Sequence, residues 1–328
     1  MHWRSIAGVA LAGFGIVRAA GAQVRPGVKP GWEWSDDSVF AVVNAVRAGR
    51  SLKPAAWPGG ARVAVLFSFD VDNETVGIRF GEPTIGALSQ QEYGARAGLP
   101  RIVALFDKYQ IPVTYFIPAM SARIHPEEVA LIRKSGRNEI AVHGWIHEQN
   151  SLLPYETEKD LLQRAVDYWT KTLGKKPTGY RAPSWNFSPN TLRILREIGF
   201  TYESSMMSDE NPYELMENGK PTGLVELPVE WIMDDAPLYD PRGTNYASPR
   251  EVAQVWMDEF DKAWEEHSMF VLTNHPHISG HRSRVVALEL LIQHMRQKGG
   301  VWFATHDAAA RYVKQQAGMS TANSDSKR

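Results

Sequence analysis

Residues 62–69, RVAVLFSF, form a nearly continuous apolar run in which branched and aromatic side chains predominate. Such a run is typical of a strand that is buried on both faces, as the strands of a parallel sheet are. Parallel strands are joined by helical crossovers, so helical segments should alternate with further strands along the chain. The run therefore predicts an α/β fold.

The rest of the chain shows this alternation. Further strands are predicted at residues 113–117, 139–142, 179–181, 224–228, 269–273 and 301–304. Helices are predicted at residues 101–109, 126–134, 156–173, 188–198, 249–267, 285–298 and 307–315. Seven or eight such strand–helix units predict a single distorted (β/α) barrel that is closed or nearly closed.

The two ends of the chain lie outside this pattern. Arg4, an apolar run from Ile6 to Val17 and the small residues Ala20-Gly21-Ala22 predict a secretory signal peptide at residues 1–22, and a frayed helix is the alternative. Cleavage near Ala22 implies a secreted or periplasmic protein. We expect an N-terminal extension at residues 23–60 with one short helix, a catalytic domain at 61–317, and a disordered tail at 318–328.

Composition excludes several function classes. The chain has 36 basic and 37 acidic residues and no basic stripe, so nucleic-acid binding is not expected. No segment after the signal approaches the roughly 20 apolar residues of a membrane span. The absence of cysteine excludes thiolate nucleophiles and cysteine-ligated zinc, so any metal must use histidine and carboxylate ligands.

Acidic residues follow the first predicted strand, in the stretch Asp70-Val71-Asp72. Two carboxylates this close together are costly to place beside a buried strand unless a positive charge lies next to them. A metal ion or an arginine would supply that charge, and a solvated acidic loop is the alternative interpretation.

A histidine pair, His143 and His147, follows the predicted strand at 139–142. Two histidines at this spacing can converge on one ion from one turn of helix, although an ordinary histidine pair has the same spacing. Together with Asp72 they form a set of two histidines and one carboxylate. Such a set leaves coordination positions open for water and substrate, as catalytic metal sites do.

Two later strand ends also carry polar residues. Arg181 could keep Asp70 ionised, with Trp185 as a flat wall for a ligand; a surface arginine and a core tryptophan are the alternative. His275, His277 and His281 cluster after the strand at 269–273, and one of them could be a general acid. Trp231, Asp234 and Asp235 follow the strand at 224–228. One of these aspartates could pair with a site histidine or arginine; a solvated aspartate pair is the alternative.

These four strand ends, in this order, resemble the polysaccharide deacetylases (carbohydrate esterase family 4, NodB-homology type) over roughly residues 60–310. The resemblance implies one divalent ion, zinc by preference, and specific roles for the matching residues. It assigns Asp70 as the base, Asp72, His143 and His147 as metal ligands, Arg181 as the residue that orients the base, and His275 as the general acid.

The first motif departs from the usual family pattern, because Val71 separates the aspartates and Asn73 replaces a glycine. This form, the stretch from Glu92 to Arg96 and the pair His275-Pro276 resemble a particular branch. That branch includes peptidoglycan deacetylases and hydrolases of cyclic imides and ureides, such as the metal-independent type of allantoinase. It also includes homotetramers, which makes self-association an expectation.

The resulting hypothesis is hydrolysis of a non-peptide C–N bond, with N-deacetylation of an envelope glycan as the first choice. Hydrolysis of a small cyclic amide, imide or ureide is the second choice. The third is a non-catalytic glycan-binding barrel. We expect the substrate to contact Trp185, Arg96, Trp145 and Trp231.

Overall fold

The computed structural model of the protein describes residues 29–81, 83–239 and 246–320. The predicted signal peptide and residues 321–328 of the predicted tail lie outside these ranges. The chain divides into two units, at Val43 and Asn44. The described part of the first unit contains a 3₁₀ turn at Gly31–Glu33 and most of helix α1 (Asp36–Ala45), all of it exposed or half-buried.

The second unit is built on a sheet of ten strands. They are β1 Val46–Ser51, β2 Val63–Asp70, β3 Thr114–Ile117, β4 Glu139–Val142, β5 Gly179–Tyr180, β6 Tyr202–Glu203, β7 Tyr213–Glu217, β8 Lys220–Glu226, β9 Met269–Asn274 and β10 Val301–Phe303. Every residue of β2 is buried, as its apolar run predicts.

The sheet is parallel except at one edge. Pairing runs from β8 through β6, β5, β4 and β3 to β2, and β2 also pairs with β9 and β10. Strands β7 and β1 add antiparallel ribbons beyond β8. In the part of the chain that the structure describes, the two ends of the curl meet in one bridge, between Asp234 and Thr273. The predicted barrel-type fold is thus confirmed in the form of a curled half-barrel.

Helices cover the outside of this sheet. In the second unit they are α2 Thr75–Ile78, α3 Ile85–Tyr93, α4 Leu99–Tyr109, α5 Ala119–Ile124, α6 Glu127–Arg133, α7 Tyr155–Leu173, α8 Thr191–Ile198, α9 Asp235–Tyr239, α10 Pro249–Glu265, α11 Pro276–Ser279, α12 Arg282–Lys298 and α13 His306–Gln316. Their apolar faces join the core, in which Phe106 packs edge-on against Phe67 and Phe69. None of the helices within the described ranges is both long and apolar enough to cross a bilayer.

Strand β1 lies in the segment expected to be an extended arm, and its sequence gave no strand signal. It alternates neither in polarity nor in burial, and four of its six residues are exposed. It forms because β7 offers a free ladder edge, and because Nε of Arg50 donates a hydrogen bond of 2.8 Å to Glu214. Such pairing depends on a distant partner, which local periodicity cannot reveal.

Two backbone segments meet closely where the connection between α3 and α4 packs against α11. A π-helical turn at Gly94–Gly98 joins α3 to α4 and packs against α11. A Cβ atom on Gly98 would lie 2.1 Å from the carbonyl oxygen of Pro276, and one on Gly280 would lie 2.3 Å from the Cα atom of Gly98. Glycine is therefore required at both positions by contact between main chains.

We expect Gly98→Ala to lower the free energy of unfolding by about 1–3 kcal/mol or more, because a main-chain carbonyl cannot move aside cheaply. Gly86→Ala in helix α3 is the matched control, since a Cβ atom there meets no atom within 4 Å. It should be neutral or stabilise the protein by up to about 1 kcal/mol. Urea denaturation measures both, and equal stabilities of the two variants would contradict the close approach.

Candidate metal centre and active site

Asp70 and Asp72 lie at the carboxyl end of β2. Side chains two residues apart point to the same side of an extended chain, so both carboxylates enter the same space. Both are buried, at 2% exposure. The chain stays in register because the N–H of Val71 donates to the carbonyl of Phe116 at 2.9 Å. The structure thus excludes the alternative of a solvated acidic loop.

Asn73 turns the chain away from the sheet. Its φ of 47° is left-handed, which explains why asparagine can replace the usual glycine of this motif. Its Nδ2 donates to Oγ of Ser121 at 2.8 Å and to both carboxyl oxygens of Glu128 at 3.0 Å. Burial raises the pKa of Glu128 to about 8, more than its hydrogen bond from Asn73 lowers it. A buried amide–carboxyl pair therefore anchors the loop that carries Asp72.

His143 and His147 lie on a tight non-helical turn. The expectation that they converge from one turn of a helix was wrong. Gly144 has a φ of 74° and His147 a φ of 60°, and neither angle occurs in an α-helix. Glu148 holds the turn by accepting hydrogen bonds from the N–H groups of Trp145 at 3.0 Å and Ile146 at 2.7 Å. A Cβ atom on Gly144 would lie 2.9 Å from both Glu148 and Pro183. The turn brings both imidazoles to the end of β2.

The ligand atoms of Asp72, His143 and His147 all lie within 4.8 Å of one another, and all three residues are buried. Nε2 of His143 lies 3.4 Å from Oδ1 of Asp72, and Nε2 of His147 lies 3.4 Å from Oδ2. The structure therefore brings together the three residues predicted as ligands.

The donor set fits a divalent ion. Nδ1 of His143 lies 2.8 Å from the carbonyl oxygen of Arg181, which can only accept, so the lone pair of His143 is on Nε2 and faces Asp72. Nε2 of His143 and Oδ1 of Asp72 are both buried without a hydrogen-bond partner. Burial raises the pKa of Asp72 more than the nearby histidines lower it. A cation would satisfy both orphaned atoms and keep Asp72 ionised.

Asp70 is held by a buried guanidinium. Nη1 of Arg181 donates to Asp70 at 2.8 Å and to Ser68 at 2.9 Å, while its other nitrogens donate to the carbonyl and hydroxyl of Ser204. Burial would raise the pKa of Asp70, but Arg181 and the nearby histidines outweigh it and hold the pKa below its ordinary value. Asp70 is therefore ionised, with Oδ2 3.6 Å from Nε2 of His143.

His275 reaches the same cluster from the end of β9. Its Nδ1 lies 2.6 Å from Oδ1 of Asp235, its N–H donates to Oδ2 of the same carboxylate at 2.9 Å, and its Nε2 lies 3.6 Å from Asp72. Burial would lower the pKa of His275, but Asp235, Asp234 and Asp72 raise it well above its ordinary value. Asp234 and Asp235 are both buried, so they pair with a site histidine rather than with solvent. Burial raises the pKa of Asp234 to about 7.

Comparison with known proteins agrees with this geometry. The family model described as Polysaccharide deacetylase matches residues 90–203. A peptidoglycan deacetylase of Helicobacter pylori is 30% identical over 284 residues, which cover 76% of this chain and 97% of that protein. The chain belongs to the polysaccharide deacetylase family. As a member of this family it is a hydrolase of carbon–nitrogen bonds other than peptide bonds, as its strand-end motifs predicted.

Solved structures show the same kinship. A candidate polysaccharide deacetylase from Mycobacterium smegmatis superposes with a TM-score of 0.76 at 34% identity, covering 86% of this chain and 99% of that one. An allantoinase superposes with a TM-score of 0.72 at 26% identity, covering 81% of this chain and 94% of that one. The polysaccharide deacetylase fold of this chain thus also resembles that of an allantoinase, which its first motif had indicated.

The aromatic residues predicted to contact substrate in this polysaccharide deacetylase lie in different settings. Trp185 is buried with a left-handed φ of 51°, and its ring lies against that of Trp231, with centroids 4.4 Å apart. Trp231 is 46% exposed and offers an open face. Trp145 is half-buried, and the guanidinium of Arg164 lies 4.5 Å from its ring centroid. Of these three tryptophans, Trp231 therefore has the most exposed ring, and it is backed by the ring of Trp185.

Three further residues considered in the sequence analysis, Arg96, His281 and His277, make other contacts. The side chain of Arg96 is 76% exposed and pairs with Glu92 at 3.3 Å, so the structure gives no support for its role in substrate binding. His281 stacks on Tyr93, with ring centroids 4.0 Å apart. His277 lies beside His275, with centroids 5.7 Å apart.

Sequence patterns missed two residues that contact the site. Nη1 of Arg79 lies 2.8 Å from Nδ1 of His147. His306 follows β10 and lies under Arg181, with its Nε2 3.5 Å from Nη2. Burial and the charge of Arg181 lower its pKa well below the ordinary value, so it is neutral. His306 follows a predicted strand end and could have been found by that rule, whereas Arg79 lies in a loop without a motif.

We expect Glu128→Gln to raise the free energy of unfolding at pH 9 by on the order of 4 kcal/mol and to change it little at pH 4. The pKa of Glu128 is raised from 4.5 to about 8 in the folded protein. Stability that is present below pH 4.5 is therefore lost as the pH rises towards 8, and glutamine removes this loss. Urea denaturation from pH 4 to 9 measures it.

Glu127→Gln is the control, because the side chain of Glu127 is 72% exposed beside the same helix turn. It should leave the pH profile of stability nearly unchanged. A Glu128→Gln profile parallel to that of the wild type would show that Glu128 ionises normally.

Proposed function

We propose that this protein is a metal-dependent deacetylase that removes acetyl groups from an N-acetylated glycan of the cell envelope. The observation that carries the proposal is the buried set of Asp72, His143 and His147, whose ligand atoms lie within 4.8 Å of one another. An ionised Asp70 and a protonated His275 lie beside this set, 3.6 Å from His143 and 3.6 Å from Asp72 respectively. A cation site beside a base and an acid suits metal-assisted hydrolysis of an amide.

The metal would supply Lewis-acid polarisation of the amide carbonyl and of the attacking water. Two imidazoles and one carboxylate suit zinc, and three protein ligands leave room for water and substrate. We therefore propose zinc as the ion.

Asp70 would accept the proton of the attacking water. Arg181 fixes its Oδ1 through a hydrogen bond of 2.8 Å, which leaves Oδ2 directed towards His143 and the ligand set. Because Arg181 cannot be deprotonated, it cannot take part in the proton transfer and serves to orient the base. The burial of both groups strengthens this orientation.

His275 would give a proton to the departing nitrogen. Its Nδ1–H is engaged by Asp235, so the proton on Nε2 is the one available on the side of Asp72. The raised pKa of His275 keeps that proton in place at neutral pH. Water adds to the acetyl carbon, the C–N bond breaks, and acetate and a free amine result.

A glycan substrate is supported by the exposed ring of Trp231, which is backed by Trp185, since sugar rings pack on exposed aromatic faces. The N-terminal sequence, with its apolar run and small-residue cleavage site, supports export to the compartment where envelope glycans lie. The peptidoglycan deacetylase of Helicobacter pylori, which is similar over most of both chains, is a further reason for this choice.

Hydrolysis of a small cyclic amide or ureide is the second candidate. It is supported by the similarity to an allantoinase with a TM-score of 0.72. The segment from α3 through the π-helical turn is packed by its backbone against α11, directly after His275. A rigid segment beside His275 suits a small cyclic substrate as well as the end of a glycan chain.

We expect Asp72→Asn and Asp70→Asn to separate metal binding from proton transfer. Asp72→Asn should lose most of the bound zinc together with activity, because a ligand charge is removed. Asp70→Asn should keep the zinc while kcat falls by about 10²–10⁴-fold, the usual contribution of a general base. Metal analysis after dialysis and acetate release from N-acetylglucosamine oligomers measure the two effects. Full activity of a chelated, metal-free wild type would overturn the proposal.

We expect the wild type to release acetate from N-acetylglucosamine oligomers. Trp231→Ala should raise KM about tenfold at nearly constant kcat, because a stacking contact binds substrate and transition state alike. Trp231→Phe retains an aromatic face and is the matched control. Ring opening of a cyclic imide or ureide by the wild type, without acetate release from the oligomers, would favour the second candidate.

A further inference from the structure

Arg79 directly follows helix α2, in the loop after Asp72, and reaches the turn that carries the second histidine ligand. Its Nη1 lies 2.8 Å from Nδ1 of His147 and donates to Oγ of Ser184 at 2.9 Å. Arg79 is half-buried, whereas Ser184 is exposed. The guanidinium thus links the loops that follow β2, β4 and β5.

The polarity of the contact with His147 is fixed by chemistry. Arginine has only N–H donors and keeps its charge, so Nδ1 of His147 must accept. A neutral imidazole carries one proton, which must then be on Nε2. Nε2 is the atom that lies 3.4 Å from Oδ2 of Asp72, where its proton faces a carboxylate oxygen. In this arrangement His147 has no lone pair on the side of the ligand set.

His143 shows the opposite arrangement. Its Nδ1 faces the carbonyl oxygen of Arg181 at 2.8 Å, which places its proton on Nδ1 and its lone pair on Nε2. Histidines that bind a metal nearly always donate their second nitrogen to a carbonyl, a carboxylate or water in this way. The two histidines of this site therefore differ: the surroundings of His143 favour coordination, and those of His147 oppose it.

We propose that Arg79 competes with the metal ion for His147, so that coordination by His147 requires its proton to move to Nδ1 and Arg79 to move away. This inference rests on the proposed metal site and concerns the control of its affinity. With the proton on Nδ1, His147 and Arg79 would face each other with two donors, so the hydrogen bond and coordination through Nε2 exclude each other.

Arg79 has a second position available. Its Nη1 is shared with the exposed Ser184, and its guanidinium lies 4.7 Å from the ring centroid of Phe80, which is also exposed. It can therefore keep these outer contacts when it releases His147. The consequence is a weaker zinc affinity than the same three ligands would give with an acceptor beside Nδ1 of His147.

The affinity for Zn²⁺ tests the proposal, by competition with a chromophoric chelator on the full-length protein. Arg79→Met keeps the length of the side chain but removes its donors and charge. We expect it to bind Zn²⁺ on the order of tenfold more tightly or more, the usual size of effects from groups that contact a ligand. Arg79→Lys retains a charged donor and should stay within about threefold of the wild type.

The position of the proton gives a second readout that does not depend on activity. Imidazole ¹⁵N shifts of the metal-free protein, assigned by the signals that disappear in His147→Gln, should show His147 protonated on Nε2 in the wild type and in Arg79→Lys. In Arg79→Met the proton on Nδ1 should gain population. A wild-type His147 protonated on Nδ1 would overturn the inference.

The two measurements also separate this inference from the proposed function. If the wild type binds Zn²⁺ and Arg79→Met binds it no more tightly, the competition is refuted and the metal site stands. If the wild type binds no Zn²⁺ and Arg79→Met does, the competition is supported in its strongest form. If neither protein binds Zn²⁺, both the metal site and the competition are refuted.

Discussion

The site depends on the cost of burying two carboxylates at the end of one strand. Asp70 and Asp72 share a face of the chain and are both buried, so each raises the pKa of the other unless positive charge is supplied. Arg181 supplies it to Asp70 through a hydrogen bond of 2.8 Å, and no comparable guanidinium bond is found for Asp72 among the described residues. The result is a division of roles: one carboxylate already has its cation, whereas the other still needs one. That asymmetry, more than the identity of any single residue, is what supports different proposed roles for Asp70 and Asp72, as base and as ligand.

The surrounding network maintains this division. The carbonyl of Arg181 contacts Nδ1 of His143 while its guanidinium holds Asp70, so one residue positions both a proposed ligand and the proposed base. Asp235 holds His275 at two points, because its carboxylate contacts both the main-chain N–H and the imidazole Nδ1 of His275. Since parallel strands end at one edge of the sheet, residues distant in sequence meet without long loops. The neutral His306 beneath Arg181 adds no second charge to the centre.

Much of this could be predicted from the sequence, for identifiable reasons. The β2 run, the amphipathic helices and the polar strand ends are local signals, and the rule that parallel strands end together turned them into a site containing Asp72, His143 and His147. The sequence could not show β1, whose pairing depends on β7, or the left-handed turn at His147, which Glu148 stabilises through main-chain bonds. The role of Arg79 could not be predicted, because it depends on which nitrogen of His147 the guanidinium contacts, and only the structure shows that. Asn73 appeared as a departure from a family pattern, and only its φ of 47° shows that it fulfils the same conformational need as glycine.

The segment between α3 and α4 packs closely against the loops on two sides of the centre. A Cβ atom on Gly94 would lie 2.8 Å from Oδ1 of Asn73 and 3.1 Å from the N–H of His277, so the π-helical turn is held between the loop of Asp72 and the loop of His275. Gly98 repeats this contact one turn further on, against the main chain of Pro276. Among the described residues, this segment cannot move outward without displacing the loop of Asp72 or the loop of His275. Substrate selection should therefore depend in part on the fixed backbone from Gly94 to Gly98.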